Sequence, residues 1–277
     1  MTSAEIDAQW SFADPAASEV RFRELAERLT GEARGEALTQ VARALGLQRK
    51  FDEAEAILDK VMAAGPRARM RATLEYGRLR NDTKQRDAAE RLFRDALRQA
   101  ENLGDDFYAV DAAHMLGIVV EGEEGLEWNR TAIAMAAESP EARARNWQAS
   151  LLNNLGWSLH DLGRPVEALE AFVRAVPLRA AQRDEARHRI ARWTVGRCLR
   201  TLGRFEEALR IQEDLAQDPS ADGYVFEEIG ECRLALGLPS EGAFRRAYEL
   251  LSQETWFAEE EPARLERLRL LGEIAYS

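Results

Sequence analysis

Cysteine is scarce: Cys198 and Cys232 are the only two in 277 residues, a usage that suits a reducing compartment and not a disulfide-stapled secreted domain. No run approaches the roughly 20 apolar residues that span a bilayer. The opening Met1-Thr2-Ser3-Ala4-Glu5 lacks the basic and apolar blocks of a signal peptide. A cytoplasmic protein with no membrane partner is expected. Basic charge is in deficit as well. The 38 Lys and Arg residues against 49 Asp and Glu leave a net charge of −11, which repels a phosphate backbone, so nucleic acid is not an expected partner. Eight prolines and few alternating runs of Val, Ile or Thr leave no place for a sheet.

Catalytic signatures are missing too. There is no Gly-rich phosphate loop followed by Lys-Ser or Lys-Thr, no Gly-x-Ser-x-Gly elbow, no His-Glu-x-x-His and no calcium-loop spacing. The histidines are His114, His160 and His188, on different predicted helices. The neighbours His160 and Asp161 point about 100° apart on a helix, so they do not form a dyad. His114 and His160, with Asp111 or Asp161, are the set that could converge on a metal. No local ligand pair accompanies them, and neither a metal nor another cofactor is expected.

What the chain has is self-similarity. Leu155-Gly156-Trp157 through Leu162-Gly163-Arg164 aligns with Val195-Gly196-Arg197 through Leu202-Gly203-Arg204. Each segment runs into a second helix that starts near an Ala, at Ala168 and Ala208. The interval from Gly156 to Ala168 recurs from Gly196 to Ala208, Gly77 to Ala89, Ala42 to Ala54 and Gly230 to Gly242. Small residues at both points predict two antiparallel helices that cross closely there. Gly163, Gly203 and Gly237 mark where the first helix stops. Larger apolar residues follow on the second helix: Leu58 and Val61, Phe93 and Ala96, Phe172 and Ala175.

A small first-helix residue, a turn Gly, then Ala, Phe and Ala on the second helix resemble the tetratricopeptide repeat. The resemblance implies an all-α, right-handed superhelical solenoid of about six repeats over residues 33–255, with a capping segment at 1–32 and another at 256–277. First helices are expected over Ala33–Gly46, Arg67–Arg80, Asp105–Val120, Glu141–Leu162, Asp184–Leu202 and Ala221–Leu236, with caps over Pro15–Leu29 and Pro262–Ala275. From Gly77 to Gly196 the units recur about every 40 residues, where the usual period is about 34, so helices or turns there must be longer. Gly122-Glu123-Glu124-Gly125 leaves no room for a full turn in the third unit, and Pro177 should end or kink the fourth unit's second helix. Cys198 and Cys232 fall at equivalent positions of consecutive repeats, too far apart to bridge, and read as buried thiols. The chain as a whole also resembles a bacterial tetratricopeptide family without an assigned biochemical role.

In such arrays the first helices line a concave groove. The resemblance places Thr39, Gln40, Arg43, Arg78, Asn81, Asp111, His114 and Ile118 there. Farther along it places Asn153, Asn154, Trp157, His160, Trp193, Arg197, Arg200, Tyr224, Glu227, Glu228 and Glu231. Two Trp and a Tyr among charges read as a binding surface, since these residues give large contact area at low entropy cost. Asn153 or Asn154 resembles the Asn of the family's carboxylate clamp, but Ile190 and Thr194 stand where its basic residues belong. The expected function is a non-enzymatic scaffold for a protein or peptide ligand in the groove. The alternative is a ligand-gated sensor that takes a small peptide or metabolite in the same place. Arg197 with Arg200, beside Glu227, Glu228 and Glu231, is expected either to grip a charged partner or to be internally neutralised.

Overall fold

The computed structural model describes residues 1–273; of the helix expected over Pro262–Ala275, Ile274 and Ala275 lie outside the described residues. Among those residues the chain is helical without a strand. It divides into two compact units, one ending at Leu151 and the other starting at Leu152. In the first unit a short helix α1 (Ser3–Asp7) and α2 (Pro15–Arg28) precede three helix pairs. These are α3 (Gly31–Leu47) with α4 (Phe51–Val61), α5 (Pro66–Asp82) with α6 (Arg86–Leu103), and α7 (Asp106–Val119) with α8 (Gly122–Glu138). A single turn, α9 (Ala142–Arg145), leads into α10 (Gln148–Asp161), within which the division falls. The second unit continues from α10 to α11 (Pro165–Ala181), then α12 (Glu185–Thr201) with α13 (Phe205–Leu215) and α14 (Gly223–Ala235) with α15 (Glu241–Leu251). It ends on α16 (Thr255–Glu260) and α17 (Pro262–Glu273).

The crossings differ from the expected Gly-on-Ala contact. A Cβ at Gly77 would stand 2.6 Å from Cδ1 of Phe93, and one at Gly156 would stand 2.6 Å from Cδ1 of Phe172. The first-helix glycine therefore receives the flat ring of the second helix's Phe, one turn beyond the Ala. Gly230 does the same for Phe244, while a Cβ at Gly242 meets nothing within 4 Å. In the fifth pair Gln212 replaces the Phe. It is fully buried against Gly196, and its Nε2 donates to the Trp193 carbonyl at 3.2 Å.

Several helix limits also depart from expectation. The helix foreseen over Glu141–Leu162 breaks at Asn146 and Trp147, where the indole turns edge-on to Phe107 and His114 at 5.7 and 5.5 Å. Pro177 neither ends α11 nor breaks it. It lies on the exposed side, and the helix continues to Ala181. In the third pair only Val120 and Glu121 link α7 to α8, and Gly125 is required because a Cβ there would collide with the Val120 carbonyl oxygen.

Turns between paired helices, the third pair excepted, share one device. Gly163, Gly203 and Gly237 have φ of 72°, 73° and 68°, and the following N–H groups donate back to Leu159, Leu199 and Arg233 at 2.8–2.9 Å. Arg49 and Lys84 hold the equivalent position with φ of 61° and 63°. A side chain in this left-handed region costs about 1–2 kcal/mol, part of which glycine gives back as entropy of the unfolded chain. Lys84→Gly should therefore stabilise the protein by about 0.5–1 kcal/mol in urea denaturation; a loss of stability would contradict this account of the turn.

Candidate functional site

In the first unit the anticipated groove residues form a closed ion network. Arg78 on α5 reaches α7, where its Nη2 donates to both Asp111 carboxylate oxygens at 2.7 Å, and it also pairs with Glu75. Arg43 on α3 lies 3.9 Å from Glu75. Asp111 is buried, which alone would raise its pKa, but Arg78 and Arg43 hold the carboxyl below its ordinary range. His114, one turn further along α7, is pushed below its ordinary value by burial, which outweighs the attraction of Asp111. The His114 ring packs edge-on to Trp147. Thr39 and Gln40 are buried, the latter accepting from the Trp10 indole at 2.6 Å.

In the second unit the aromatic residues line up. Trp157 on α10, Trp193 on α12, Tyr224 on α14 and Phe257 on α16 have successive ring centroids 6.5, 6.2 and 5.8 Å apart. The register explains the row. Trp157 follows the crossing glycine Gly156 by one residue, whereas Trp193 precedes Gly196 and Tyr224 precedes Gly230 by larger steps. Each aromatic thus enters about one helical turn earlier than the last, and the row runs obliquely over the first helices. Trp157 also rests on the core ring of Phe172 at 5.2 Å. His160 stands 5.5 Å from Trp157 and its Nε2 lies 3.0 Å from the Thr201 hydroxyl. Asn153 donates to Asn154 at 3.4 Å.

Between α12 and α14 a cavity of about 430 Å³ opens beside this row. Ile190, Trp193, Leu215, Tyr224 and Val225 give it apolar walls, and Arg189 and Asp222 stand at its edge. Asp222 caps α14, accepting from the Tyr224 and Val225 N–H groups at 3.1 and 3.2 Å. Arg189 is held by Asp218 at 2.8 Å. Trp193 has a shielded indole N–H without an acceptor. Thr194, the other position at which the clamp would need a base, turns inward and donates to the Ile190 carbonyl at 2.7 Å. An apolar hole therefore occupies the neighbourhood in which a carboxylate clamp would need its cations.

The charged residues expected beside it are matched internally. Arg197 donates to Glu228 at 3.0 Å, and Arg200 donates to the same carboxylate at 2.6 and 3.2 Å. Glu227 accepts from Nε and Nη2 of Arg264 on α17 at 2.8 and 2.6 Å, and Glu231 pairs with Arg267. Burial pushes the Glu228 carboxyl up to about 7 against the pull of Arg200. The Arg264 guanidinium also sits over Tyr224 and Phe257 at 5.6 and 5.3 Å. Sequence reasoning had not found Arg264, whose contacts span from α17 to α14, nor Ile190 as a cavity wall. The signal for Ile190 was present as an exposed large apolar side chain on a first helix. Both thiols are buried and free, and Cys232 is pushed up to about 12 by burial.

Part of the chain carries the tetratricopeptide repeat. The family model described as tetratricopeptide repeat matches residues 147–216. Among solved structures, a STAND-type signal-transduction ATPase with a tetratricopeptide repeat sensor from Pyrococcus horikoshii superposes with a TM-score of 0.71 at 14% identity, covering 94% of this chain. This chain spans 42% of that longer one. The apo quorum sensor NprR from B. thuringiensis matches at TM-score 0.62 and 15% identity over 99% of this chain and 81% of its own. NprR in complex with its cognate peptide NprX matches at 0.52 and 16% over 99% and 84%. At these identities the likeness is one of fold. A comparison with curated proteins by sequence finds no match. Among the described residues no helix is long and apolar enough to cross a membrane.

Proposed function

We propose that the first-helix face of the second unit binds an extended peptide or protein segment, without chemistry, and that one apolar side chain of the ligand enters the cavity between α12 and α14. The observation that carries this reading is the cavity itself, whose walls join two rings of the aromatic row to the exposed Ile190. Pockets that take a side chain or small ligand are mostly apolar with a few polar groups at the rim, as here with Arg189 and Asp222. Trp157, Trp193 and Tyr224 offer further area to the ligand's neighbouring residues, and Asn153, Asn154 and His160 offer hydrogen bonds beside them. NprR, a protein of the same fold, has been seen with a peptide bound. Arg197 and Arg200 paired with Glu228, and Glu227 and Glu231 paired with Arg264 and Arg267, frame this face, and in the first unit Arg78, Asp111 and His114 stiffen the repeats. Buried free thiols fit a reducing, cytoplasmic setting.

Selection from a displayed random-peptide library on the full chain tests the proposal. Selected peptides should share a large apolar residue, and Ile190→Arg should weaken them at least tenfold while the circular dichroism stays unchanged. Ile190 is exposed, so its replacement leaves the core intact. Peptides that bind Ile190→Arg as tightly as the parent would refute the cavity as the site.

A further inference from the structure

The strongest unassigned feature lies in the first unit, where α1 meets α5, α7 and α9. Arg71 is only 1% exposed although it is a long cation near the start of α5. Its Nη2 donates to the Asp7 carboxylate at 2.6 Å and its Nη1 donates to Glu36 at 2.8 Å, while Nε has no partner. Two more donors converge on the other oxygen of Asp7: the Tyr108 hydroxyl of α7 at 2.8 Å and Arg143 of α9 at 2.7 Å. The Arg71 guanidinium also lies 4.9 Å over the Tyr108 ring, and that of Arg143 lies 3.8 Å over Phe107. One carboxylate thus receives three donors from three successive repeat units, two of them cationic.

The segment that brings this carboxylate is small. Helix α1 has five residues, far below the length at which a helix is stable alone. It is anchored on α3 by Ile6, which is fully buried, and by a bond from Ser3 to Glu36. A core packing role would need only Ile6. Aligning a saturated carboxylate beside it is the pattern of a bound ligand: an apolar residue in a hole and an acid on adjoining cations.

We propose that Arg71, Tyr108 and Arg143 form a carboxylate-binding site for an acidic peptide segment, an apolar residue followed by Asp or Glu, and that the chain's own Ile6-Asp7 fills it as a displaceable internal ligand. Arg71 pairs with Asp7 and Glu36, and Arg143 with Asp7 and, at 4.0 Å, Glu141, so removing α1 leaves each cation one carboxylate and takes from both the acceptor that Asp7 supplied at 2.6 and 2.7 Å. A tethered segment competes at an effective concentration on the order of mM, so a partner must outbid a local, weak ligand and not a tight one. This site stands apart from the cavity of the second unit, and its failure leaves that reading untouched.

The probe is a fluorescein-labelled synthetic peptide with the sequence of residues 2–12, added to the full chain. In wild type the site is filled; in the double variant Ile6→Ser, Asp7→Asn it is vacated. The peptide should bind the double variant at least tenfold more tightly than wild type. That gain should disappear when the peptide carries Asp7→Asn or when Arg143→Gln is added to the protein. Equal binding to wild type and the double variant, or equal binding of the Asp and Asn peptides, would overturn the proposal. A second measurement needs no variant. Hydrogen exchange of residues 3–7 in wild type should quicken when the unlabelled peptide is present at mM concentration, and unchanged exchange would overturn the proposal equally.

Discussion

Gly156→Leu should destabilise the second unit by about 3 kcal/mol, the upper part of the range for overpacked cores. Even the first added carbon would stand 2.6 Å from Cδ1 of Phe172, a ring that is 1% exposed and already flanked by Trp157. Neither neighbour has space to retreat in an interior packed to crystal-like density. The effect is read as a lowered urea midpoint, followed by Trp fluorescence and circular dichroism. The equivalent change at Gly242 in the sixth pair should be nearly neutral, because a Cβ there meets nothing within 4 Å. Equal effects at the two positions would show that the crossing is not made by glycine and ring.

Arg78→Met should destabilise the first unit by about 3–5 kcal/mol, the range for breaking a buried ion pair from one side. Arg78 is 13% exposed at its side chain, against 2% for Asp111 and 4% for Glu75, so both acids would be left without water or their nearest cation. The loss comes from stranded charge more than from the absence of a contact. The double variant Arg78→Met, Asp111→Leu should therefore recover at least half of the stability lost by the single one. A single variant that melts like wild type, or a double variant that is worse than the single, would contradict the network described here.

These two sites show how far the sequence could be read. The recurrence of Gly77, Gly156, Gly196 and Gly230 located the crossings, because only small residues permit close helices. The partner across each crossing was misjudged, since a spacing of small residues does not say which side chain fills the space. Phe93, Phe172 and Phe244 fill it as flat rings. The turns were legible where glycine marked them and hidden at Arg49 and Lys84, which adopt the same left-handed conformation without advertising it. The candidate site was legible in its aromatics, as Trp157, Trp193 and Tyr224 are prominent on first helices. Its charges were not. Whether Arg197 and Arg200 face a ligand or Glu228 depends on angstrom-scale placement between helices, and the structure pairs them with Glu228. Helix α1 was invisible because five residues carry no periodicity, and its role depends on Arg71 and Arg143, far away in the chain.

Peptide recognition on the aromatic row is tested most directly by the indole N–H resonances of the full chain, assigned by single Trp→Phe replacements. On titration with a peptide selected from the library, the Trp193 signal should shift, because this residue lines the cavity, and Trp157, the next ring in the row, should follow. Trp128, which packs under Arg94 in the first unit, should stay where it is. A saturating peptide that leaves Trp193 and Trp157 unmoved, or that moves Trp128 instead, would contradict the placement of the binding face on α10, α12 and α14.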